Sequence, residues 1–138
     1  MNEKDLAERV VNTMYEKDYL SQWLRIERVV VEPGRCVLKM QIRKEMLNGF
    51  GIAHGGIAYS LADSALAFAS NSHGRKSVSI ETSISHTESL KDGDIIIAEA
   101  EEKNISNKIA VYYINITKDG KTIALFKGTV YRTSKDWF

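Results

Sequence analysis

The sequence predicts an α+β fold in which a six-stranded antiparallel sheet wraps around one long central helix. Three observations support this class. An alanine-rich, apolar stretch covers residues 57–70. Two β-branched runs precede that stretch and four follow it. The runs are joined mainly by short turns, which favour antiparallel neighbours. Such a sheet leaves exposed edges, so we expect the chain to pair with a second copy of itself.

The central helix is predicted over residues 55–73. Ala and Leu favour helix there, and apolar residues occur all around it, which indicates burial on every side. Gly74 is placed to end it in the left-handed conformation. The helix carries one acidic residue, Asp63, and a carboxylate taken out of water is costly unless it is paired, hydrogen-bonded or used. Asp63 is therefore a candidate functional residue. The competing interpretation is a structural Asp bonded to Tyr59, Ser60 or a neighbouring strand.

Shorter patterns predict the other elements. Residues 1–23 form an N-terminal helical segment, in which Leu6, Val10 and Met14 have the spacing of an amphipathic helix. Strands are predicted where β-branched and apolar residues lie between turn residues. They cover residues 24–31, 36–42, 78–85, 95–98, 109–117 and 122–133. We expect residues 134–138 to cover a sheet edge, and residues 1–138 to form a single domain.

The composition argues against several classes of function. Nineteen Lys and Arg residues balance eighteen Asp and Glu, for a net charge of +1, so no global field favours nucleic acid or a membrane surface. No apolar run approaches the roughly 18 residues that cross a membrane, and the first residues lack a signal region. We expect a cytoplasmic protein with no nucleic-acid or membrane partner. The single cysteine, Cys36, excludes an internal disulfide and is predicted to be an ordinary strand residue.

A glycine-rich loop leads into the central helix. His54, Gly55 and Gly56 stand at the predicted helix N-terminus, where the first N–H groups lack intrahelical partners and the helix dipole is positive. The two glycines leave these amides unshielded, so a polarised carbonyl oxygen, such as that of a thioester, could approach them. The competing interpretation is that the glycines only allow a tight turn and close packing.

The separation of Gly55 and Asp63 has a consequence for assembly. Asp63 lies about 12 Å along the helix from Gly55, at roughly 1.5 Å per residue. One helix therefore cannot direct both groups at one small carbonyl. If they cooperate, Asp63 must come from a second subunit whose helix runs antiparallel beside the first. This predicts a homodimer with composite active sites, and we expect two dimers to pair into a homotetramer.

These motifs resemble a known family. The loop pattern Asn-Gly-x-Gly-x-x-His-Gly-Gly at 48–56, the helix residues 61–65 and the strand 122–128 look like those of the PaaI-type acyl-CoA thioesterases, the phenylacetate-degradation branch of the hotdog fold. The resemblance covers roughly residues 24–132. It implies a hotdog fold and hydrolysis of acyl-CoA, with small aromatic acyl groups such as hydroxyphenylacetyl. It implies no metal and no cofactor besides the coenzyme A of the substrate.

The resemblance also implies roles by position. Asp63 matches the carboxylate that acts as general base or nucleophile, and Gly55 matches the amide that polarises the thioester carbonyl. Asn48 matches a residue that helps to place the carboxylate or the water. His54 matches one that orders the loop and hydrogen-bonds near the thioester. Ser79 matches a hydroxyl that assists the water in some relatives. The alternation of its strand does not decide on which face of the sheet Ser79 lies.

One stretch departs from the family pattern. Where relatives commonly carry an aromatic residue followed by Arg-Pro, this chain has His-Thr-Glu-Ser at 86–89. The resemblance therefore does not identify which residues form the acyl pocket and the coenzyme A entrance in this chain. Candidate apolar walls are three aromatic residues, Phe50, Tyr59 and Phe68. Candidate contacts for the coenzyme A phosphates are three basic residues, Arg75, Lys76 and Lys91.

Two other functions compete with thioester hydrolysis. An enoyl-CoA hydratase or dehydratase of the same fold would need a His and an acid facing one substrate carbon. Only His54 supports it, and the proline-bounded His motif of those relatives is missing. A non-catalytic acyl-CoA-binding module is the other alternative. As a sensor it would carry a DNA-binding segment, and the residues before the first strand are too few for a helix-turn-helix.

Overall fold

The computed structural model describes residues 1–138, and it contains three α-helices and six β-strands. The elements are α1 (Glu3–Glu16), α2 (Tyr19–Trp23), β1 (Glu27–Glu32), β2 (Arg35–Gln41), α3 (Gly55–Asn71), β3 (Arg75–His86), β4 (Ile95–Ile105), β5 (Ile109–Lys118) and β6 (Lys121–Asp136). The strands form one sheet in the order β1-β2-β4-β5-β6-β3, and every neighbouring pair is antiparallel. Helix α3 packs against one face of this sheet. The predicted α+β arrangement, the hotdog fold, is confirmed.

Helix α3 lies at the centre of the hydrophobic core. Ten of its 17 residues are buried, which accounts for apolar side chains around its whole circumference. On the sheet, alternate residues of β2, β4, β5 and β6 are buried against it. The helix ends at Asn71, and Gly74 adopts a positive φ of 100° shortly afterwards. This agrees with the predicted end of the helix.

The helix and the sheet pack closely at Gly128 of β6. A Cβ atom at this position would lie 2.5 Å from Cδ2 of Leu66, which is buried on α3. A larger residue here would force the buried Leu66 side chain to move, so Gly128 allows the helix to pack closely against β6.

A bulge in β3 changes which residues face α3. The register with β6 shifts between Ser79 and Glu81, so that Ser79 pairs with Val130 and Thr82 pairs with Gly128. Val130 and Gly128 face the helix, and Ser79 and Thr82 therefore lie on the same face. The alternation of faces along the strand predicted over residues 78–85 is therefore interrupted by one extra residue, which reverses the order of the faces.

The two ends of the chain lie against the domain. The N-terminal segment forms two helices, and α1 buries its apolar face as its spacing predicts. The C-terminal tail differs from the expectation. Residues 134–136 continue β6, and Asp136 pairs with Arg75 at the start of β3. The tail therefore extends the sheet, and only Trp137 and Phe138 fold over neighbouring side chains, with Arg9 lying 3.7 Å from the Phe138 ring centroid.

Cys36 lies in β2 and is fully buried, as predicted. Burial raises the pKa of its thiol to about 12, so the thiol stays protonated and is unreactive at neutral pH. None of the helices combines the length and the apolar character needed to cross a membrane.

We expect Gly128→Ala to lower the free energy of unfolding by about 1–3 kcal/mol, because the new methyl group would overpack the Leu66 contact. Urea denaturation measures this as a lower midpoint. Gly49→Ala is the matched control, since no atom lies within 4 Å of the Cβ position there. Equal stability of the two variants would show that the helix moves freely over the sheet.

Candidate active site

A cavity of about 320 Å³ opens at the N-terminus of α3, and we call it the amide cavity. Its walls come from the glycine-rich loop, including Asn48, His54 and Gly55, and from residues 86–89, which begin at the last residue of β3. The backbone N–H groups of Gly55 and Gly56 donate to no acceptor within the chain. Unpartnered amides at the positive end of a helix dipole are suited to bind an oxygen that gains negative charge.

Backbone hydrogen bonds hold the loop that carries this cavity. The Gly51 N–H donates to the Asn48 carbonyl (3.0 Å), and Gly51 has a positive φ of 78° that favours glycine. The Asn48 side-chain oxygen accepts from the Phe50 N–H (2.9 Å). His54 is the N-cap residue of α3, and its N–H donates to the Met46 carbonyl (2.8 Å). The imidazole of His54 makes no hydrogen bond in the chain and borders the cavity.

Asp63 lies in a second cavity of about 460 Å³, which we call the carboxylate cavity. Its carboxylate is half-buried and accepts no hydrogen bond from the chain. Tyr59 bonds Thr82 instead, with 2.5 Å between the two hydroxyl oxygens, so the structural interpretation of Asp63 finds no partner. Ser79 lines the same cavity, because the bulge in β3 turns it towards α3.

Two physical effects act on Asp63. Burial raises the pKa of its carboxyl group, and the negative charge of Asp18 raises that pKa further. Asp18 is fixed beside the helix. Its carboxylate oxygens accept from the Ser21 N–H (3.0 Å) and the Ser21 hydroxyl (2.6 Å), and the Ser21 oxygen lies 2.7 Å from that of Ser64. Asp18 was not among the residues that sequence reasoning singled out, since nothing in its sequence position links it to α3.

Within one chain, the predicted site residues form two groups. Asn48, His54 and Gly55 border the amide cavity, while Asp63 and Ser79 border the carboxylate cavity. The two cavities share no lining residue. Within one chain, the predicted amide donors and the predicted carboxylate therefore lie at different cavities.

His86 also lines the amide cavity, although the sequence analysis did not single it out. The Nε2 atom of His86 lies 3.4 Å from the position that a Cβ on Gly55 would occupy. His86 therefore borders the amide cavity close to Gly55. The sequence signal was the unusual stretch 86–89, but only the position of the end of β3 beside the start of α3 places it there.

The predicted aromatic walls line neither cavity. Phe50 is 90% exposed, Phe68 is fully buried in the core, and the Tyr59 ring packs edge-on against Phe126. A helix hydrophobic on all sides must bury most of its aromatic residues, so their number in the sequence does not reveal a pocket.

The three predicted coenzyme A contacts lie in different surroundings. The Arg75 guanidinium donates to the side chain (3.3 Å) and to the carbonyl of Asn107 in the turn between β4 and β5. Lys76 borders the carboxylate cavity. Lys91 is exposed and follows Leu90, which lines the amide cavity. Lys76 and Lys91 are thus the two that have a cavity nearby.

Comparison with known proteins agrees with this geometry. Residues 50–125 match the family model of the thioesterase superfamily. The chain is 41% identical to a predicted esterase of Archaeoglobus fulgidus over 133 residues, which cover 96% of this chain and 86% of that protein. It is 35% identical to the acyl-coenzyme A thioesterase PaaI of Escherichia coli over 122 residues, or 88% and 87% of the two chains.

The solved structure of the E. coli PaaI protein has the same fold. It superposes with a TM-score of 0.95 at 32% identity, over 98% of this chain and 99% of that chain. The resemblance to PaaI-type proteins is thus confirmed over nearly the whole length. Because the family model matches more than half of the chain and these relatives align along most of it, the protein is a thioesterase of the hotdog fold and belongs to the thioesterase superfamily.

Proposed function

We propose that the protein hydrolyses acyl-CoA thioesters to the free acid and coenzyme A, with a preference for small aromatic acyl groups such as phenylacetyl and hydroxyphenylacetyl. The observation that carries this proposal is the half-buried carboxylate of Asp63, which has no hydrogen-bond partner in the chain and lines the same cavity as Ser79. The free amides of Gly55 and Gly56 supply the second half of the chemistry. The similarity to PaaI supports the acyl-CoA substrate.

The site is composite in this proposal. Strand β3 is the last strand of the sheet, so its outer edge carries unpaired backbone groups along 12 residues. Antiparallel pairing of two β3 strands would satisfy them and set two α3 helices side by side in opposite directions. Asp63 of one subunit would then face Gly55 of its partner. This arrangement overcomes the separation of the two groups along one rigid helix.

We further propose that two dimers assemble into a homotetramer. The outer face of the sheet carries large apolar side chains, with Ile97 39%, Tyr113 52% and Leu125 52% exposed. Such a patch favours burial against another protein surface. We also propose a cytoplasmic location, because a chain with a single cysteine and no internal disulfide fits a reducing compartment.

The proposed reaction uses only groups of the chain. The thioester oxygen accepts hydrogen bonds from the amide of Gly55, with Asn48 and His54 beside it. Asp63 takes a proton from water while the water oxygen attacks the carbonyl carbon. The C–S bond then breaks, and the departing sulfur takes that proton from Asp63, so that coenzyme A leaves as the thiol. In the other route the Asp63 oxygen attacks the carbonyl carbon directly, the C–S bond breaks and coenzyme A leaves as the thiolate. Water then hydrolyses the resulting anhydride, which releases the acid and regenerates the Asp63 carboxylate. A raised pKa makes the carboxylate a stronger base.

Thiol release is the direct test of the activity. With a panel of phenylacetyl-, hydroxyphenylacetyl-, benzoyl- and straight-chain acyl-CoAs, we expect turnover to peak on an aryl acyl group. Asp63→Asn should lower kcat by about 10²-fold or more, because the base is lost. Asp92→Asn, in the exposed turn before β4, is the matched control and should retain full turnover. No thiol release from any member of the panel would contradict the proposed function.

The Asp63→Asn substitution should also stabilise the fold. Because the pKa of Asp63 is raised above its ordinary value of 3.8, the folded protein binds this proton more tightly than the unfolded chain does. Stability therefore falls as the pH rises from 3.8 through the raised pKa. We expect Asp63→Asn to have a higher Tm than the wild type at pH 7 and an equal Tm below about pH 4. A lower Tm at pH 7 would mean that Asp63 has a stabilising partner in the assembly.

Mixing two inactive variants tests the composite site. Gly55→Pro deletes the amide donor, while proline is well tolerated at the first position of a helix and His54 already has the extended ψ of 139° that precedes proline. It should lower kcat by about 10²-fold or more. Gly56→Ala, which meets no atom within 4 Å, is the control for added bulk.

Co-expression of Gly55→Pro with Asp63→Asn should restore about one quarter of the wild-type activity. Random pairing makes half of the dimers mixed, and each mixed dimer has one intact site of two. No recovery from dimers that are shown to be mixed would mean that each site lies within one chain.

A further inference from the structure

We propose that the carboxylate cavity is the acyl-binding pocket, and that Trp137 and Met14 set the size of the acyl group it admits. These residues come from the two ends of the chain. The inference rests on the proposed function, since it assigns the acyl specificity of the same site. It replaces the aromatic residues Phe50, Tyr59 and Phe68, which line neither cavity.

The position of the cavity supports this assignment. Asp63 and Ser79 lie on its wall, so a thioester carbon placed beside the carboxylate has its acyl substituent inside the same space. Its volume of about 460 Å³ lies within the roughly 300–1,000 Å³ of small-molecule pockets. The remaining walls carry six apolar and four polar residues, and they come from α1, α3, β3, β6 and the C-terminal tail. They include Met14 of α1, Leu66 and Ala67 of α3, Val130 of β6, and Trp137 of the tail.

Trp137 is held rigidly as a wall of this pocket. Its backbone N–H donates to the Gly74 carbonyl (2.9 Å), and its indole Nε1–H donates to the Asn71 side-chain oxygen (2.9 Å). Asn71 is itself fixed, because its amide nitrogen donates to the carbonyls of Ala67 (2.8 Å) and Ser77 (3.1 Å). The Lys76 ammonium lies 4.9 Å from the ring centroid. Because both the backbone and the indole nitrogen of Trp137 are hydrogen-bonded, the ring keeps its position and limits the space that an acyl group can occupy.

Met14 contributes a wall of a different kind. It is half-buried on α1, and its unbranched thioether can adjust to the outline of a ligand. Sulfur makes favourable contacts with aromatic ring edges, and indole packs well against a second ring in an offset or edge-on arrangement. The pair therefore favours a flat, single-ring aryl acyl group over a bulkier fused ring.

Both residues lie outside the part of the chain that the family model matches. That part, residues 50–125, contains Gly55 and Asp63 but neither Met14 nor Trp137. The groups proposed for the chemistry and the walls proposed for specificity therefore come from different parts of the chain.

Substitutions in opposite directions test the pocket. Trp137→Ala should raise the ratio of kcat/KM for naphthylacetyl-CoA to that for phenylacetyl-CoA by about tenfold, because the wall is removed. Met14→Phe should lower the ratio for phenylacetyl-CoA to acetyl-CoA by about tenfold, because the space is filled. Trp137→Phe, which keeps a ring, should stay near the wild-type ratios. Trp23→Ala is the matched control, since Trp23 is 46% exposed and lines neither cavity. Unchanged ratios in folded Trp137→Ala and Met14→Phe would overturn the inference.

A binding measurement separates this inference from the proposed function. The chain has two tryptophans, so Trp23→Phe leaves Trp137 as the only indole fluorophore and Trp137→Phe leaves Trp23. The probe is a phenylacetyl-CoA analogue in which a methylene replaces the thioester sulfur. We expect it to change the emission of Trp137 and not that of Trp23. A Trp137 response without thiol release from any acyl-CoA would support the pocket and overturn the hydrolase. Thiol release by the wild type without a Trp137 response would overturn the pocket alone, and neither signal would overturn both.

Discussion

The close packing of α3 against the sheet is the constraint on which the rest of the structure depends. Gly128 allows Leu66 to sit directly on the strand, and apolar residues surround the helix on all sides. This packing fixes the helix as a rigid rod. Its N-terminus and its Asp63 therefore keep a set distance, and its free amides keep a set direction. Because the helix is rigid, the Gly55 amide and the Asp63 carboxylate of one chain cannot act on the same carbonyl group.

That rigidity explains why a second copy is the natural completion of the site. The amide cavity and the carboxylate cavity each hold groups that are incomplete alone: donors without a base, and a base without donors. The free edge of β3 lies beside the helix and carries the bulge that turns Ser79 inward. One unpaired strand thus connects assembly with chemistry, since its pairing would both satisfy backbone groups and complete the site.

Asp63 illustrates a balance between stability and activity. A carboxylate in this half-buried position has lost water without gaining a hydrogen bond, and Asp18 adds like-charge repulsion nearby. Such a group weakens the fold while its raised pKa makes it more basic. The surrounding core is large enough to tolerate this, as the buried cluster around α3 includes residues from β2, β4, β5 and β6. Functional sites often keep such unfavourable positions.

The sequence by itself determined the fold class, the central helix, most strands and the family, because hydrophobic periodicity, turn residues and the glycine-rich loop are local signals. It also singled out Asp63 and Gly55, since an acidic residue in an apolar helix and glycines at the start of that helix can be recognised from the sequence alone. Only the tertiary structure decided the face of Ser79, the continuation of the tail into β6, the closeness of His86 to Gly55, and the cavity formed by Met14, Trp137 and Asp63. These depend on one bulge and on contacts between residues far apart in the chain, for which a single sequence carries no periodic signal.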